Sequence, residues 1–206
     1  PKKSLGQRVF KAGLAVGIAH LLFKLAGLIQ AKAMAYYLPG EIFDSVYVFA
    51  FESCIFSIFL IGEEVIGPVL LPLFMRELDT RGEDAAWSFA NVVLTLQGAL
   101  LTVLMILLML FPEVPVKLLT AWTPDRAESL NQYLLGVSSV RILAPALIGL
   151  SFGSATYVLL NSYKRFFLAA FGDAVWKFAV VAALIVGAGW LHGAPVALVV
   201  GLVAGG

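Results

Sequence analysis

Cysteine, histidine and charged residues are all scarce in this 206-residue chain. The single cysteine, Cys54, excludes an internal disulfide and leaves no cysteine-based metal or redox motif. The two histidines, His20 and His192, stand far apart, and the sequence contains neither a metal-ligand spacing nor a phosphate-binding glycine loop. No basic patch is large enough for nucleic acid. These absences argue against an enzyme, a metal or cofactor site, and a nucleic-acid-binding protein.

The composition is that of an integral membrane protein. Charged residues make up 13% of the chain, hydrophobic residues 61%, and the mean hydropathy is +0.94; soluble domains carry about a quarter charged residues. Apolar segments recur along the whole length, which argues against a signal peptide followed by a soluble domain. Continuous apolar runs of roughly 20 residues favour membrane-crossing helices over barrel strands. The sequence therefore predicts an all-α, polytopic membrane helix bundle in a single domain.

About six transmembrane helices are expected, and they occupy residues 9–38, 43–76, 85–111, 130–161, 166–190 and 195–206. The clearest segment, 85–111, contains no charged residue. The last is too short to cross a bilayer unless the natural chain continues beyond it. Pro68 and Pro72 in the second helix and Pro145 in the fourth are expected to kink or loosen those helices.

Basic residues are distributed unevenly between the two predicted sides of the membrane. The first, third and fifth loops contain only Lys117 and Arg126. Because Lys and Arg concentrate in cytoplasmic loops, this asymmetry predicts a cytoplasmic N-terminus. A short amphipathic stretch ending at Trp122 is expected to lie at the outer interface. The eight basic residues at the N-terminus and in the second and fourth loops are Lys2, Lys3, Arg8, Lys11, Arg76, Arg81, Lys164 and Arg165.

Four basic residues, Lys24, Lys32, Arg141 and Lys177, lie inside the predicted spans. A charge near the bilayer centre costs roughly 2.5 to 3.5 kcal/mol on insertion scales, so it normally faces a partner or a wet cavity. Lys24 is in the middle of its span, which favours a cavity role. Lys32 and Arg141 lie closer to helix ends, where snorkelling to the headgroups is an equal alternative.

Acidic residues also interrupt the spans. Glu52 and Glu63 are eleven residues apart, which places them on one face of an α-helix, whereas Glu64 points away and is a candidate for a structural ion pair. Asp173 and Lys177 are spaced i, i+4, which favours an intrahelical pair. That pair either eases membrane insertion or belongs to a functional site.

Two blocks of residues resemble the MurJ/MviN family of lipid II flippases. The first block includes the stretch FDSVYVFAF at residues 43–51. The second, residues 141–171, contains the pattern L-N-x-x-x-R-F at the start of the fifth helix. The residues that match the family signature are Gly27, Gly62, Pro72, Asn161, Arg165 and Phe166.

The resemblance implies one lobe of a two-lobe transporter in the superfamily of multidrug, oligosaccharidyl-lipid and polysaccharide exporters. Such a protein would flip an undecaprenyl-diphosphate-linked cell-wall or polysaccharide precursor across the bacterial cytoplasmic membrane by alternating access. Its partners would be the lipid-linked precursor, the bilayer, and a second lobe or a homo- or hetero-partner subunit.

The resemblance also implies a cationic cavity. Lys24 replaces a cavity arginine of the family, while Asp44 and Glu63 match family acids. Gln30 stands where the family has a second arginine, and Lys177 where it has asparagine, so a diphosphate would be met by lysine point charges rather than by bidentate arginines. The candidate substrate-binding residues are Lys24, Lys32, Asp44, Glu52, Glu63, Arg141, Asp173 and Lys177.

Glu63 could pair with Lys24 in one conformation and release it to an anionic headgroup in another, which would couple binding to a movement of the lobe. Two other functions stay open. An ion-coupled exporter of drugs or small molecules would use the same acids as ion sites. A non-transporting scaffold or partner subunit would need these charges only for folding.

Overall fold

The computed structural model describes residues 5–38, 40–163, 166–190 and 200–201. These residues form helices, turns and irregular segments without a β-strand, which confirms the predicted all-α bundle. The elements are α1 (Leu5–Tyr37), α2 (Gly40–Ile42), a π-helix (Phe43–Phe56), α3 (Ser57–Arg81), α4 (Glu83–Leu110), α5 (Glu113–Leu119), α6 (Ala127–Leu143), α7 (Ala146–Ser162) and α8 (Phe166–Trp190). The last predicted helix, 195–206, lies outside the described residues except at 200–201.

Two segments of the described chain are long and apolar enough to cross a membrane, Gly40–Ile61 and Glu83–Leu110. Helices α6 and α7 form a third candidate if they are one bent span. The angle between them is 48°, and Pro145 lies at the bend, where a proline removes a backbone donor and favours a break. The predicted helix at 130–161 is therefore two helices, whereas α3 continues through Pro68 and Pro72.

Helix α4 shows how the sequence sets the ends of an element. Gly82 precedes it with φ 89° and ψ 179°. Residues with a Cβ atom rarely adopt this backbone conformation. Glu83 and Asp84 occupy the first turn, where negative charge is favoured by the helix dipole. Pro112 follows the C-terminal end, because it cannot continue the hydrogen-bonded ladder.

The segment Phe43–Phe56 is a π-helix, although the sequence predicts an ordinary α-helix from residue 43 to 76. Its wider turn is visible in side-chain bonds that reach back five residues: Ser53 Oγ donates to the Val48 carbonyl at 2.7 Å, and Ser57 Oγ to the Glu52 carbonyl at 2.9 Å. The α-helical periodicity that placed Glu52 on the face of Glu63 therefore does not hold through this segment. Long π-helical stretches are rare, and shorter ones are frequent at functional sites.

The π-helix forms the centre of the packed core. It contacts α6 along one side, while α1 packs lengthwise against α8. Phe51, Ile55 and Leu143 are fully or almost fully buried in this core. The ring of Phe51 also lies 5.8 Å from that of Trp176, so the π-helix and α8 meet through aromatic side chains. This arrangement brings α1, the π-helix and α8 together at the same place.

Candidate functional site

A cavity of about 450 Å³ lies between α1, the start of the π-helix and α8. Its wall is mainly apolar, and the polar side chains in it are Gln30, Tyr47 and Lys177. A largely apolar pocket with a few placed polar groups is the usual form of a ligand site in proteins. The lining residues are Gly27, Gln30, Ala31, Met34, Ala35, Leu38, Gly40, Phe43, Tyr47 and Lys177.

Lys177 crosses from α8 to α1 and is held there by two features of α1. Its Nζ atom lies 3.8 Å from the centroid of the Phe23 ring, within the range of a cation–π interaction. Nζ also lies directly over Gly27, because a Cβ atom on residue 27 would be 2.8 Å from it. Real Cβ atoms essentially never come that close to another heavy atom. A glycine at position 27 is therefore required for the observed position of this lysine.

Gln30 is the second polar group contributed by α1 to the cavity wall. Its side chain is 5% exposed, and its Nε2 atom has no hydrogen-bond partner. Buried polar atoms are nearly always hydrogen-bonded, because burying one without a partner is unfavourable. An amide donor in this position is suited to binding a hydrogen-bond acceptor inside the cavity.

The third polar group of the wall is Tyr47 in the π-helix. Glu52 follows it by five residues, the spacing of the backbone hydrogen bonds in a π-helix. Its ring stacks between those of Phe43 and Phe51, at centroid distances of 5.5 and 5.7 Å. Tyr47 thus forms an aromatic part of the cavity wall.

The other predicted site residues are not gathered in this cavity. Lys24, Lys32, Asp44 and Glu52 are exposed, and none of them belongs to the cavity wall. Arg141 is also exposed, and its Nε donates a 3.1 Å hydrogen bond to the carbonyl of Met109 in the last turn of α4. That contact places Arg141 beside a helix end, where its charge is favoured by the helix dipole.

Several predicted residues belong to parts of the chain whose side chains the structure leaves undescribed. Gly62 and Glu63 lie within α3, and Asp173 and Phe166 lie within α8. The structure does not describe the contacts of these four residues. Arg165 lies outside the described residues altogether. Of the remaining signature residues, Pro72 is exposed in α3 and Asn161 is half-buried in the last turn of α7.

A polar and aromatic cluster joins the ends of α3, α4 and α7. The Tyr163 hydroxyl donates a 2.7 Å hydrogen bond to Glu83 Oε1 and accepts a 3.1 Å bond from Trp87 Nε1. The Phe74 ring packs edge-on against those of Trp87 and Tyr163. The bond to Glu83 raises the pKa of Tyr163, because it favours the neutral phenol. The cluster brings the loop between α3 and α4 to the same end of the bundle as the end of α7.

The connection between α4 and α6 packs onto the core. Trp122 lies edge-on against the Phe49 ring at a centroid distance of 5.2 Å. On α5, Lys117 Nζ donates a 3.0 Å hydrogen bond to Glu113 Oε2, which lowers the pKa of the carboxyl and raises that of the lysine. Both side chains of this pair are exposed, so we expect it to contribute little to stability.

Sequence reasoning identified Lys177 and Gly27 but did not place them together, and it missed Phe23 and Tyr47. Gln30 was noted only as the replacement of a family arginine. A signal was present in α1, because residues 23, 27, 30 and 34 are spaced i, i+4, i+7 and i+11 and therefore share one face of an α-helix. What the sequence did not indicate was which helix packs against that face.

Comparisons with known proteins give a consistent result. A family model described as Lipid II flippase MurJ matches residues 34–206. A protein of Rhizobium tropici, named as a probable lipid II flippase MurJ, is 28% identical over 178 residues. The match covers 84% of this chain and 32% of the relative, so the chain spans about a third of the length of that curated protein.

Proposed function

The chain belongs to the MurJ lipid II flippase family, as its motifs predicted, and we propose that it forms part of a transporter for an undecaprenyl-diphosphate-linked cell-wall precursor. The observation that carries this proposal is the family match, which extends over most of the chain. The transporter would lie in the bacterial cytoplasmic membrane with the N-terminus of this chain in the cytoplasm. Its activity is transport without chemical change of the precursor.

The exposed charges of α1 support a second lobe beside this one. Lys24 and Lys32 are exposed on a helix that also exposes Leu21, Leu25 and Leu28. A lysine facing hydrocarbon would be costly unless it snorkelled, whereas a water-filled space between two lobes accommodates it. The same space would accept the anionic headgroup, and the prenyl tail would stay in the bilayer. Alternating opening of this space to the two sides of the membrane would move the headgroup across.

In this transport mechanism, Glu63 would act as the ion-pair partner of Lys24. In one conformation the carboxylate would bind the lysine, and in the other the headgroup would replace it, so that binding favours one of two states. Glu63→Gln should then change both transport and headgroup affinity. A variant that retains both at the level of the unmodified protein would show that no such switch operates.

The transport assay uses the intact protein, purified from its native membrane and reconstituted in vesicles with fluorescent lipid II. An impermeant quencher reports the fraction of the label exposed on the outer leaflet. The proposal predicts loss of label redistribution in Lys24→Gln and normal redistribution in Lys117→Gln, which removes an exposed lysine outside the spans. Redistribution no faster than in empty vesicles would refute it. Uptake of a cationic dye under a proton or sodium gradient, without movement of lipid II, would favour the ion-coupled exporter.

A further inference from the structure

Helix α4 has the length of a complete membrane crossing, which fixes the depth of the side chains at its two ends. It contains 28 residues and is therefore about 42 Å long, close to the roughly 40 to 45 Å of a bilayer with its headgroups. Glu83 and Asp84 begin the helix, and the run that follows carries no charge as far as Leu110. The last turn of α4, which contains Met109, therefore lies at the level of the lipid headgroups.

Arg141 of α6 is held at this level by the end of α4. Its Nε atom donates a 3.1 Å hydrogen bond to the Met109 carbonyl, and the residue is exposed. A guanidinium has five N–H donors, and no residue that the structure describes is hydrogen-bonded to the terminal nitrogens Nη1 and Nη2. On α5, the carboxylate of Glu113 is already paired with Lys117 Nζ at 3.0 Å. Arg141 thus keeps four N–H donors for a ligand at headgroup depth.

Helices α4, α5 and α6 meet at this end of the bundle and expose apolar side chains there. Leu110 in the last turn of α4 is 63% exposed, and Leu118 on α5 is 77% exposed. Ile142 is exposed next to Arg141 on α6. Further exposed apolar residues of α4, in the direction of the membrane centre, are Leu96, Leu100, Val103 and Leu107. An apolar surface that ends at a fixed cation matches a phospholipid, in which acyl chains are joined to a phosphate.

We propose that Arg141 binds the phosphate of an anionic phospholipid whose acyl chains lie along the exposed face of α4. A planar guanidinium binds phosphate oxygens through two parallel hydrogen bonds, and arginine stays charged at any physiological pH. The phosphate in turn neutralises a cation that would otherwise lie unpaired beside an apolar surface. With the N-terminus in the cytoplasm, as proposed above, this lipid belongs to the outer leaflet.

The lipid site is separate from the cavity between α1 and α8. Arg141 does not belong to the wall of that cavity. Helix α1 packs against α8, whereas α4 packs against α3, α6 and α7, so the two places lie on different sides of the bundle. The phospholipid would be a resident component of the folded protein and not a molecule that the protein moves. The proposal therefore goes beyond the proposed function and does not depend on it.

The experiment compares the melting temperature of the intact protein in nanodiscs of phosphatidylcholine with and without added phosphatidylglycerol. A ligand that binds only the folded state raises Tm, so the unmodified protein should gain stability from the anionic lipid. Arg141→Gln should lose this gain. The matched control is Arg126→Gln, which removes an exposed arginine about 22 Å away along α6 and should keep the gain.

The same comparison separates lipid binding from a purely structural role of the bond to Met109. If that bond is all that Arg141 contributes, Arg141→Gln lowers Tm by the same amount in both kinds of nanodisc, and the lipid site is overturned. Native mass spectrometry supplies the affinity. Arg141→Gln should bind phosphatidylglycerol about tenfold more weakly than the unmodified protein, because hydrogen bonds to a charged group are lost. An unchanged affinity would overturn the site as well.

The headgroup of the transported precursor is the alternative occupant. Undecaprenyl diphosphate is therefore titrated into the unmodified protein, Arg141→Gln and Arg126→Gln under the same conditions. Weaker binding of phosphatidylglycerol to Arg141→Gln alone, with undecaprenyl diphosphate unaffected, supports the phospholipid site. The opposite dependence, in which only undecaprenyl diphosphate responds to Arg141→Gln, overturns it and assigns this arginine to the precursor.

A second measurement covers the case in which Arg141→Gln does not fold. The unmodified protein is reconstituted with phosphatidylglycerol that carries a photoactivatable group on its headgroup, and the labelled peptides are identified by mass spectrometry. Labelling concentrated at residues 107–118 and 134–142, and suppressed by excess phosphatidylglycerol but not by phosphatidylcholine, supports the site. Labelling that is equally strong at the Glu83 end of α4, or that phosphatidylcholine suppresses equally well, overturns it.

Discussion

Replacing Gly27 by alanine tests the position of Lys177, and Gly13 on the same helix provides the control. Alanine favours an α-helix over glycine by about 1 kcal/mol at an interior position, and this gain applies to both sites. A Cβ atom at residue 13 would meet nothing within 4 Å, so Gly13→Ala should show the gain alone. At residue 27 the new Cβ would lie 2.8 Å from Lys177 Nζ, which must move.

The size of the expected difference in stability is set by the contact that Lys177 loses when its Nζ atom moves. Nζ is the far end of a flexible side chain, so the displacement itself is inexpensive, but it moves the charge away from the Phe23 ring. That contact is worth about 0.5 to 1 kcal/mol at an exposed site and about 2 kcal/mol when desolvated. Gly27→Ala should therefore be about 1 kcal/mol less stable than Gly13→Ala, which corresponds to roughly 2 to 4 °C in Tm for a protein of this size.

The assay is thermal unfolding of both variants in one detergent, each with and without Lys177→Ala. Without the lysine the two alanine substitutions should become nearly equivalent, because the three atoms nearest to a Cβ at residue 27 all belong to Lys177. If Gly27→Ala stabilises the protein as much as Gly13→Ala while Lys177 is present, the reasoning about this contact is refuted.

Two further predictions concern the end of the bundle where α3, α4 and α7 meet, and a third concerns the orientation of the chain in the membrane. Glu83→Gln should lower the pKa of Tyr163 towards its ordinary value in an ultraviolet titration, since the bond that favours the neutral phenol is weakened; an unchanged pKa would contradict this. Gly82→Ala should destabilise the protein by about 1 to 3 kcal/mol in a denaturant titration, because residue 82 has φ 89° and ψ 179°, and equal stability would exclude strain there. An impermeant maleimide added to intact cells should label Ala121→Cys but not Thr80→Cys, and the reverse pattern would invert the proposed orientation.

The helical class of this protein is determined by its composition, because a backbone in hydrocarbon must satisfy its own hydrogen bonds. Individual boundaries follow from local chemistry as well. The uncharged run of α4 lies between Gly82 and Pro112, and the proline at residue 145 coincides with the bend between α6 and α7. The family, too, could be recognised from short motifs, since these are properties of residue order alone.

The π-helix, by contrast, could not be predicted from the sequence. Its residues suit an ordinary α-helix equally well, and the wider turn is visible only in the contacts of the folded chain, such as the bond from Ser53 Oγ to the Val48 carbonyl. A periodicity of 100° per residue was therefore the reasonable assumption for the second span, and it fails from Phe43 to Phe56.

The residues around the cavity, likewise, could be predicted only in part from the sequence. The sequence by itself determined that Lys177 is a charge inside an apolar helix and hence needs a partner or a polar space. Only the tertiary structure decided that this space lies against Phe23, Gly27 and Gln30, about 150 residues earlier in the chain, because the pairing of α1 with α8 is a long-range packing choice. Residue order fixes which charges a membrane helix must accommodate, whereas packing fixes which other residues accommodate them.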